Sequence, residues 1–144
     1  MKAVEVVDIN ACSGCRTCEL ACSFWHHKEY SPSLTRIFIE KQERAGIDEP
    51  VICRQCDDPA CEEACPNEAF YRSENGILNI DAEKCTGCGA CVEACPFKAV
   101  RISPSVQKAM MCDLCNGAPQ CVGWCPTGAL RYTGNTVAAL RDLK

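Results

Sequence analysis

The most informative segment of this chain reads Cys85-Thr86-Gly87-Cys88-Gly89-Ala90-Cys91-Val92-Glu93-Ala94-Cys95-Pro96. Three thiols recur at every third residue, and a fourth follows directly before a proline. Related groups occur three more times, so all 16 cysteines of the 144-residue chain fall into four quartets. In chain order the quartets are Cys12, Cys15, Cys18 and Cys22; Cys53, Cys56, Cys61 and Cys65; Cys85, Cys88, Cys91 and Cys95; and Cys112, Cys115, Cys121 and Cys125.

The quartets are of two kinds, and each kind is used twice. The first and third quartets are compact, and a shift of 73 residues superposes one on the other, with Gly14 falling on Gly87. The second and fourth have a widened gap, of four residues after Cys56 and five after Cys115. Such self-similarity indicates a duplicated unit.

The composition shows that ordinary aliphatic packing does not hold this fold together. Hydrophobic residues make up 47% of the chain. Leu, Ile, Val and Phe account for only about 19% of it, a level at which a packed core becomes doubtful, whereas cysteine reaches about 11%. The net charge of −4 and the lack of any Lys/Arg cluster argue against a basic surface that binds nucleic acid.

Three chemistries compete for the quartets. Disulfides need an oxidising compartment and do not require thiols at every third residue. Structural zinc uses two pairs of ligands per site, so the third cysteine would be surplus, although the fourth quartet could suit zinc. A [4Fe–4S] cluster uses that third thiol and takes its fourth from a distant cysteine before proline. We therefore predict four [4Fe–4S] clusters bound by all 16 cysteines, with zinc as the alternative.

The expected fold class is α+β, with short strands and short helices. Single helical turns are predicted at the quartet ends, because these are Ala/Glu-rich and three of them stop at Cys-Pro. The tail Thr136–Lys144 is predicted to form one or two amphipathic turns. The predicted strands are rich in β-branched or aromatic residues and span Val4–Val7, Arg36–Ile39, Ile77–Ile80, Val100–Ile102 and Leu130–Tyr132.

With these quartets, the chain resembles the four-cluster ferredoxin subunits of the dimethyl-sulfoxide-reductase type, from residue 4 to about residue 134. Within that type it looks most like the small electron-transfer subunits of tungsten aldehyde oxidoreductases. This narrower similarity rests on Cys12-Ser-Gly-Cys-Arg-Thr-Cys-Glu-Leu-Ala-Cys-Ser-Phe-Trp-His-His27 and Ser31-Pro-Ser-Leu-Thr-Arg-Ile-Phe-Ile39.

The resemblance implies two bacterial-ferredoxin-like modules, one nested inside the other. Residues 46–100 would form the inner module, and residues 1–45 plus 101–144 the outer one. The repeat alone equally permits a tandem arrangement. By resemblance, the ligand sets are Cys53, Cys56, Cys61 with Cys95; Cys85, Cys88, Cys91 with Cys65; Cys12, Cys15, Cys18 with Cys125; and Cys112, Cys115, Cys121 with Cys22.

The sequence contains no nucleotide-binding, Walker or nucleophile motif, so no catalytic site of its own is predicted. We expect an electron-transfer subunit of a hetero-oligomer. Its partners would be a large tungsten- or molybdenum-pterin catalytic subunit and a flavin or ferredoxin protein. Formate dehydrogenase, hydrogenase and carbon monoxide dehydrogenase systems are the alternative partners. A cytoplasmic location is expected because no signal sequence and no apolar span are seen.

Four further residues could matter at such a site. His26 and His27 follow the first quartet, but 16 thiols already fill four sites, so packing or partner contact is the expected role. Trp25 is expected to shield a cluster from water, and Trp124 to share that shield.

Overall fold

Short strands and helices alternate along residues 3–133, the part of the chain that the computed structural model describes. Three 3₁₀ turns, at Ile9–Ala11, Pro32–Leu34 and Leu114–Gly117, complete this part. The strands are β1 Val4–Val6, β2 Phe38–Gln42, β3 Ile47–Val51, β4 Phe70–Arg72, β5 Leu78–Ile80, β6 Arg101–Ile102, β7 Ala109–Met110 and β8 Leu130–Tyr132. The helices are α1 Thr17–His27, α2 Ala60–Glu63, α3 Ala90–Ala94 and α4 Gln120–Trp124. The predicted turns at Thr136–Lys144 lie outside the described residues.

The strands form four separate antiparallel pairs: β1 with β8, β2 with β3, β4 with β5, and β6 with β7. The pair β1–β8 joins the two ends of the described residues, with Val6 opposite Leu130. The other three are formed by strands that follow one another in sequence. This is a small α+β fold, as the sequence predicts.

The helices that end at Cys-Pro are short, and the one without proline is long. Helices α2, α3 and α4 each form about one turn and stop just before Cys65-Pro66, Cys95-Pro96 or Cys125-Pro126. The prediction of single turns is wrong for α1, which runs for 11 residues. Ser23 follows Cys22 where the other quartets have proline, so the helix continues until Lys28 adopts a left-handed conformation (φ 56°) and ends it.

The hairpin β2–β3 differs most from the predicted strands. The strand expected at Arg36–Ile39 begins at Phe38 and runs on to Gln42, because β3 pairs with it along its full length. Strand β3 was not predicted, since Pro50 lies inside it. Proline is tolerated there because a two-stranded sheet leaves an edge where no N–H is needed.

Helix packing brings distant quartets together. Helix α1 of the first quartet packs against α4 of the fourth, and α2 of the second packs against α3 of the third. The four helices thus form two packed pairs, one from the first and fourth quartets and one from the second and third.

The interior combines few aliphatic side chains with many thiols. Ile37, Leu78, Met111 and Leu114 are fully buried. Nine of the 16 cysteines are buried as well, namely Cys18, Cys22, Cys53, Cys61, Cys85, Cys91, Cys112, Cys115 and Cys121. Within residues 3–133, no helix has the length and apolar character needed to cross a bilayer.

Because aliphatic contacts are few, each buried aliphatic side chain should contribute measurably to the free energy of unfolding. We expect Leu78→Ala, at a side chain 1% exposed, to lower the free energy of unfolding by about 2–5 kcal/mol. Leu20→Ala is the matched control, because Leu20 is 46% exposed and should cost less than about 0.5 kcal/mol. Thermal unfolding of the metal-loaded proteins, followed by circular dichroism, measures both. Equal losses would show that Leu78 contributes nothing special to the core.

Candidate metal centres

Two small cavities are each lined by four thiols. The first contains Cys12, Cys15 and Cys18 from the first quartet, together with Cys125 from the end of the fourth. The second contains Cys85, Cys88 and Cys91 from the third quartet, together with Cys65 from the end of the second. Each cavity thus joins three thiols of one loop to one thiol that precedes a proline elsewhere in the chain.

For the remaining eight thiols, the charges that shift their pKa values indicate which of them lie near one another. Charges on Cys61, Cys56 and Cys95 would each raise the pKa of Cys53, so these four lie close together. In the same way Cys121 lies close to Cys112, Cys115 and Cys22. Cys53 and Cys121 thus each have nearby the other three members of their predicted ligand set. The four predicted sets are called the Cys12, Cys112, Cys53 and Cys85 groups below, and their use as four metal sites stays a prediction.

Electrostatic proximity also links the groups in series. Cys121 of the Cys112 group is close to Cys18 of the Cys12 group. Cys112 is in turn close to Cys53, and Cys61 of the Cys53 group is close to Cys91 of the Cys85 group. These links make the Cys12 group a neighbour of the Cys112 group, the Cys112 group a neighbour of the Cys53 group, and the Cys53 group a neighbour of the Cys85 group.

Backbone N–H groups point at five of the thiols, with at least one such thiol in every quartet. These bonds favour a thiolate over a thiol and are one of the levers that set the potential of a bound cluster. The donors are Arg36 to Cys22 Sγ at 3.2 Å, and Gln55 to Cys53, Ala69 to Cys65, Ala109 to Cys85 and Leu114 to Cys112, each at 3.4 Å.

Left-handed backbone occurs in the ligand loops, and two of the five donors, Gln55 and Leu114, adopt it. Gly87 and Gly89 have φ values of +74° and +82°, as their side-chain-free backbone allows. Gln55, Leu114 and Cys115 adopt the same region at φ values between 48° and 56°. Sequence reasoning missed these three, because nothing in a non-glycine residue announces a positive φ.

Burial keeps several of the thiols protonated when no metal is bound. It raises the pKa of Cys18, Cys53 and Cys115 to about 12. A bound metal reverses this preference, because the thiolate is the metal ligand. At the surface, by contrast, the Thr17 hydroxyl lowers the pKa of Cys15.

The donor set fits [4Fe–4S] clusters. All 16 cysteines lie among the described residues and all are free thiols. Sets of four converging thiols, with backbone N–H groups directed at sulfur, suit either a cubane cluster or a tetrahedral zinc ion. A loop with thiols at every third residue around the same cavity favours the cluster.

One polar network beside the Cys112 group could not be foreseen from sequence. His26 Nε2 lies 2.8 Å from Asp113 Oδ1, although 87 positions separate the two residues. Arg36 Nη1 contacts the other carboxylate oxygen of Asp113 at 3.2 Å. Burial opposes charge on His26, but hydrogen bonding to Asp113 and Cys22 outweighs it and raises the pKa of His26 to about 9. His27, its neighbour, is exposed.

The two tryptophans, which are expected to shield a cluster from water together, line the same groove. Trp25 and Trp124 line a depression of about 480 Å³ together with Leu20, Phe24 and Tyr30. They remain 41% and 47% exposed, so their rings border solvent.

Comparison with known proteins identifies the type of domain. Residues 47–135 match a family model described as a 4Fe-4S dicluster domain, and residues 9–25 match a 4Fe-4S binding domain.

Three curated relatives are similar over about 90 residues. A tetrathionate reductase subunit of Archaeoglobus fulgidus is 39% identical, over 60% of this chain and 42% of its own length. A component of the anaerobic dimethyl sulfoxide reductase of Escherichia coli is 34% identical, over 57% of this chain and 46% of its own length. Electron transport protein HydN of Escherichia coli is 37% identical, over 61% of this chain and 53% of its own length. The matched region thus spans about half the length of these relatives.

A solved structure resembles the chain over almost its whole length. It is one polypeptide of the active-site complex BamBC of benzoyl coenzyme A reductase with bound 1,5-dienoyl-CoA. The TM-score is 0.56 at 25% identity, covering 95% of this chain and 78% of that one. The benzoyl-CoA-bound form of that complex gives a TM-score of 0.57 at 24% identity, covering 99% of this chain and 85% of that one, which shows a common fold.

The third-quartet loop offers a matched pair of glycine substitutions. A Cβ at Gly87 would overlap the carbonyl oxygen of Gln107, whereas a Cβ at Gly89 would meet no atom within 4 Å. Gly89→Ala should therefore cost only the backbone strain of about 1–2 kcal/mol. Gly87→Ala should cost more and should also lower the iron content, because the loop before Cys88 must shift. Melting temperature and iron per chain test this, and equal effects of the two variants would contradict it.

Proposed function

Because this protein belongs to the 4Fe-4S dicluster domain family, we propose that it carries four [4Fe–4S] clusters and relays electrons through them. The observation that carries the proposal is the pair of cavities that each collect four thiols from two quartets. When bound, such clusters take up and release single electrons without bond making in the protein. The protein's own tasks are then to space the clusters, exclude water and adjust their potentials.

The proposed ligand sets each combine three thiols of one quartet with one of another. Packing of α1 on α4 and of α2 on α3 supports these crossed sets. It also supports an outer module of residues 1–45 and 101–144 around an inner module of residues 46–100. The sets are Cys12, Cys15, Cys18 and Cys125; Cys112, Cys115, Cys121 and Cys22; Cys53, Cys56, Cys61 and Cys95; and Cys85, Cys88, Cys91 and Cys65.

Gln55 holds the junction between the two modules. Its side-chain nitrogen donates to the carbonyl oxygen of Cys112 at 2.8 Å and to that of Leu78 at 3.1 Å, while its backbone N–H donates to Cys53 Sγ. Its side-chain oxygen accepts the Leu78 N–H at 2.7 Å. The amide nitrogen thereby ties the Cys53 loop to the Cys112 loop, and both polar atoms of this buried side chain tie it to Leu78. In the proposed electron-transfer chain, electrons pass from one module to the other at this contact between the Cys53 and Cys112 loops.

The proposed partner is a large catalytic subunit with a tungsten or molybdenum pterin, of the aldehyde oxidoreductase kind. The segments Cys12–His27 and Ser31–Ile39 support it by resemblance. Relatives named as parts of tetrathionate and dimethyl sulfoxide reductases support the broader role of an iron–sulfur subunit. A flavin or ferredoxin protein would be the second redox partner in a cytoplasmic hetero-oligomer. Formate dehydrogenase, hydrogenase or carbon monoxide dehydrogenase systems are the alternative setting.

Anaerobic purification tests the cofactor directly. The proposal predicts a brown protein with about 16 iron atoms and as many sulfides per chain. It also predicts that a large pterin-containing subunit co-purifies from the native source. A colourless protein containing zinc would overturn the electron-transfer role and leave a zinc-binding interaction module. A four-cluster protein that purifies alone would overturn the proposed partner only.

The crossed ligand sets predict which substitutions act on the same cluster. Cys15→Ser and Cys125→Ser should alter the potential or the occupancy of one and the same cluster, although the two residues belong to different quartets. Cys115→Ser should alter another. Redox titration followed by electron paramagnetic resonance separates the reduction waves. If Cys125→Ser instead altered the cluster affected by Cys115→Ser, each quartet would hold its own cluster and the crossed arrangement would be wrong.

A further inference from the structure

Exposed apolar side chains gather in one groove, which is lined by α1 and α4. Nine large apolar side chains of residues 3–133 are exposed. Five of them line the depression of about 480 Å³ described above, namely Leu20, Phe24, Trp25, Tyr30 and Trp124. We call this depression the aromatic groove. Apolar side chains scattered singly over a surface need no explanation, but a contiguous patch on one face marks an interaction site.

The wall of the aromatic groove is held in place by its own contacts. The rings of Phe24 and Tyr30 stack, with their centroids 5.0 Å apart and their planes 15° from parallel. The Lys28 ammonium group lies 5.4 Å from the ring centroids of both Phe24 and Trp25, as cation–π contacts require. Aromatic side chains that are already fixed lose little entropy on binding, and tryptophan and tyrosine are enriched among the residues that dominate protein interfaces.

Lys28 also gives the groove a positive edge. No carboxylate of residues 3–133 lies within ion-pair distance of its ammonium group. A cation that a second protein covers loses its water and needs an anion in exchange. A protein surface that covers this groove must therefore present an Asp or Glu beside its apolar side chains.

The aromatic groove lies next to a thiol at the protein surface. All 16 cysteines are among the described residues, and only Cys15 and Cys88 of them are exposed. Thr17 lines the groove, and its hydroxyl oxygen is 3.3 Å from Cys15 Sγ. Near Cys88 the exposed side chains of Asn67 and Thr86 are polar and hydrogen-bond to each other. The protein thus offers one exposed thiol beside an apolar face and another beside a polar face.

We propose that the aromatic groove is the docking surface for the large pterin-containing catalytic subunit, which fills it with apolar side chains and pairs a carboxylate with Lys28. This inference rests on the proposed function, because it requires that subunit and a cluster at the Cys12 group. Permanent interfaces between subunits are the more hydrophobic ones, whereas weak redox encounters use small interfaces. Electrons then pass between the catalytic subunit and the Cys12 group, and the second redox partner meets the Cys88 end.

The test uses this chain with an affinity tag, expressed in its native source and purified anaerobically together with its partner. Tungsten or molybdenum per chain reports the catalytic subunit, and iron per chain reports the clusters. Trp25→Ala should weaken the association by about 30-fold, which is the cost of truncating a dominant interface residue. The pterin metal should then be lost on dilution and gel filtration, while about 16 iron atoms per chain remain.

Lys28→Glu tests the charge without removing an aromatic ring. It places a carboxylate where the partner's carboxylate is expected, so it should also release the catalytic subunit. Tyr71→Ala and Arg44→Glu are the matched controls, because both residues are exposed and neither lines the groove. Neither control should change the pterin metal per chain. If Trp25→Ala loses iron as well, Lys28→Glu decides the matter, since Lys28 is an exposed residue at the end of α1.

The possible failures can be told apart. Retention of the catalytic subunit by either groove variant, with its iron intact, would overturn this inference and leave the proposed function standing. A wild-type chain with four clusters and no pterin metal would overturn the proposed partner, and this inference with it. A wild-type chain that purifies as a dimer, and that Lys28→Glu converts to a monomer, would show that a second copy occupies the groove and would also overturn the inference.

Discussion

Each of the two cavities lined by four thiols takes one cysteine from a different quartet, and this crossing constrains how the helices pack. Cys125 can reach the Cys12 loop only if α4 packs against α1, and Cys65 can reach the Cys85 loop only if α2 packs against α3. The strand pair β1–β8 then brings together both ends of the described residues. With so small an aliphatic core, metal binding would supply folding free energy that side-chain packing does not. The clusters proposed here are therefore structural as well as redox groups.

Much of this arrangement could be predicted from sequence, because ligand spacing is a local property. Cys-Pro correctly indicated where α2, α3 and α4 end, whereas the four sites and 16 ligands that the quartets indicate stay a prediction. The length of α1 could have been inferred from Ser23, which replaces the proline of the other quartets. Strand β3 was missed because Pro50 argues against a strand unless the sheet is known to have an edge there. The sequence repeat permits both the nested and the tandem pairing of quartets. Only the family resemblance indicated which quartet supplies the fourth thiol of each set.

The residues around the ligands lay beyond sequence reasoning for a physical reason. His26 and Asp113 meet across 87 positions, and Gln55 joins Leu78 to Cys112 through hydrogen bonds that no spacing predicts. Such contacts depend on how the loops pack after the thiols have gathered. They also concern the property that matters most for an electron carrier, because charge and hydrogen bonding near sulfur set the potential of each cluster. Differences in electron affinity among the four groups would thus arise from these surrounding residues more than from the thiols.

The crossed assembly of four clusters is tested most directly by a crystal structure of the anaerobically purified protein, with anomalous diffraction recorded at the iron edge. We predict four separate iron peaks. Each peak should be bounded by three cysteines of one quartet and the last cysteine of another, with Cys125 beside Cys12 and Cys65 beside Cys85. Peaks that are each enclosed by a single quartet, or zinc in place of iron, would contradict it.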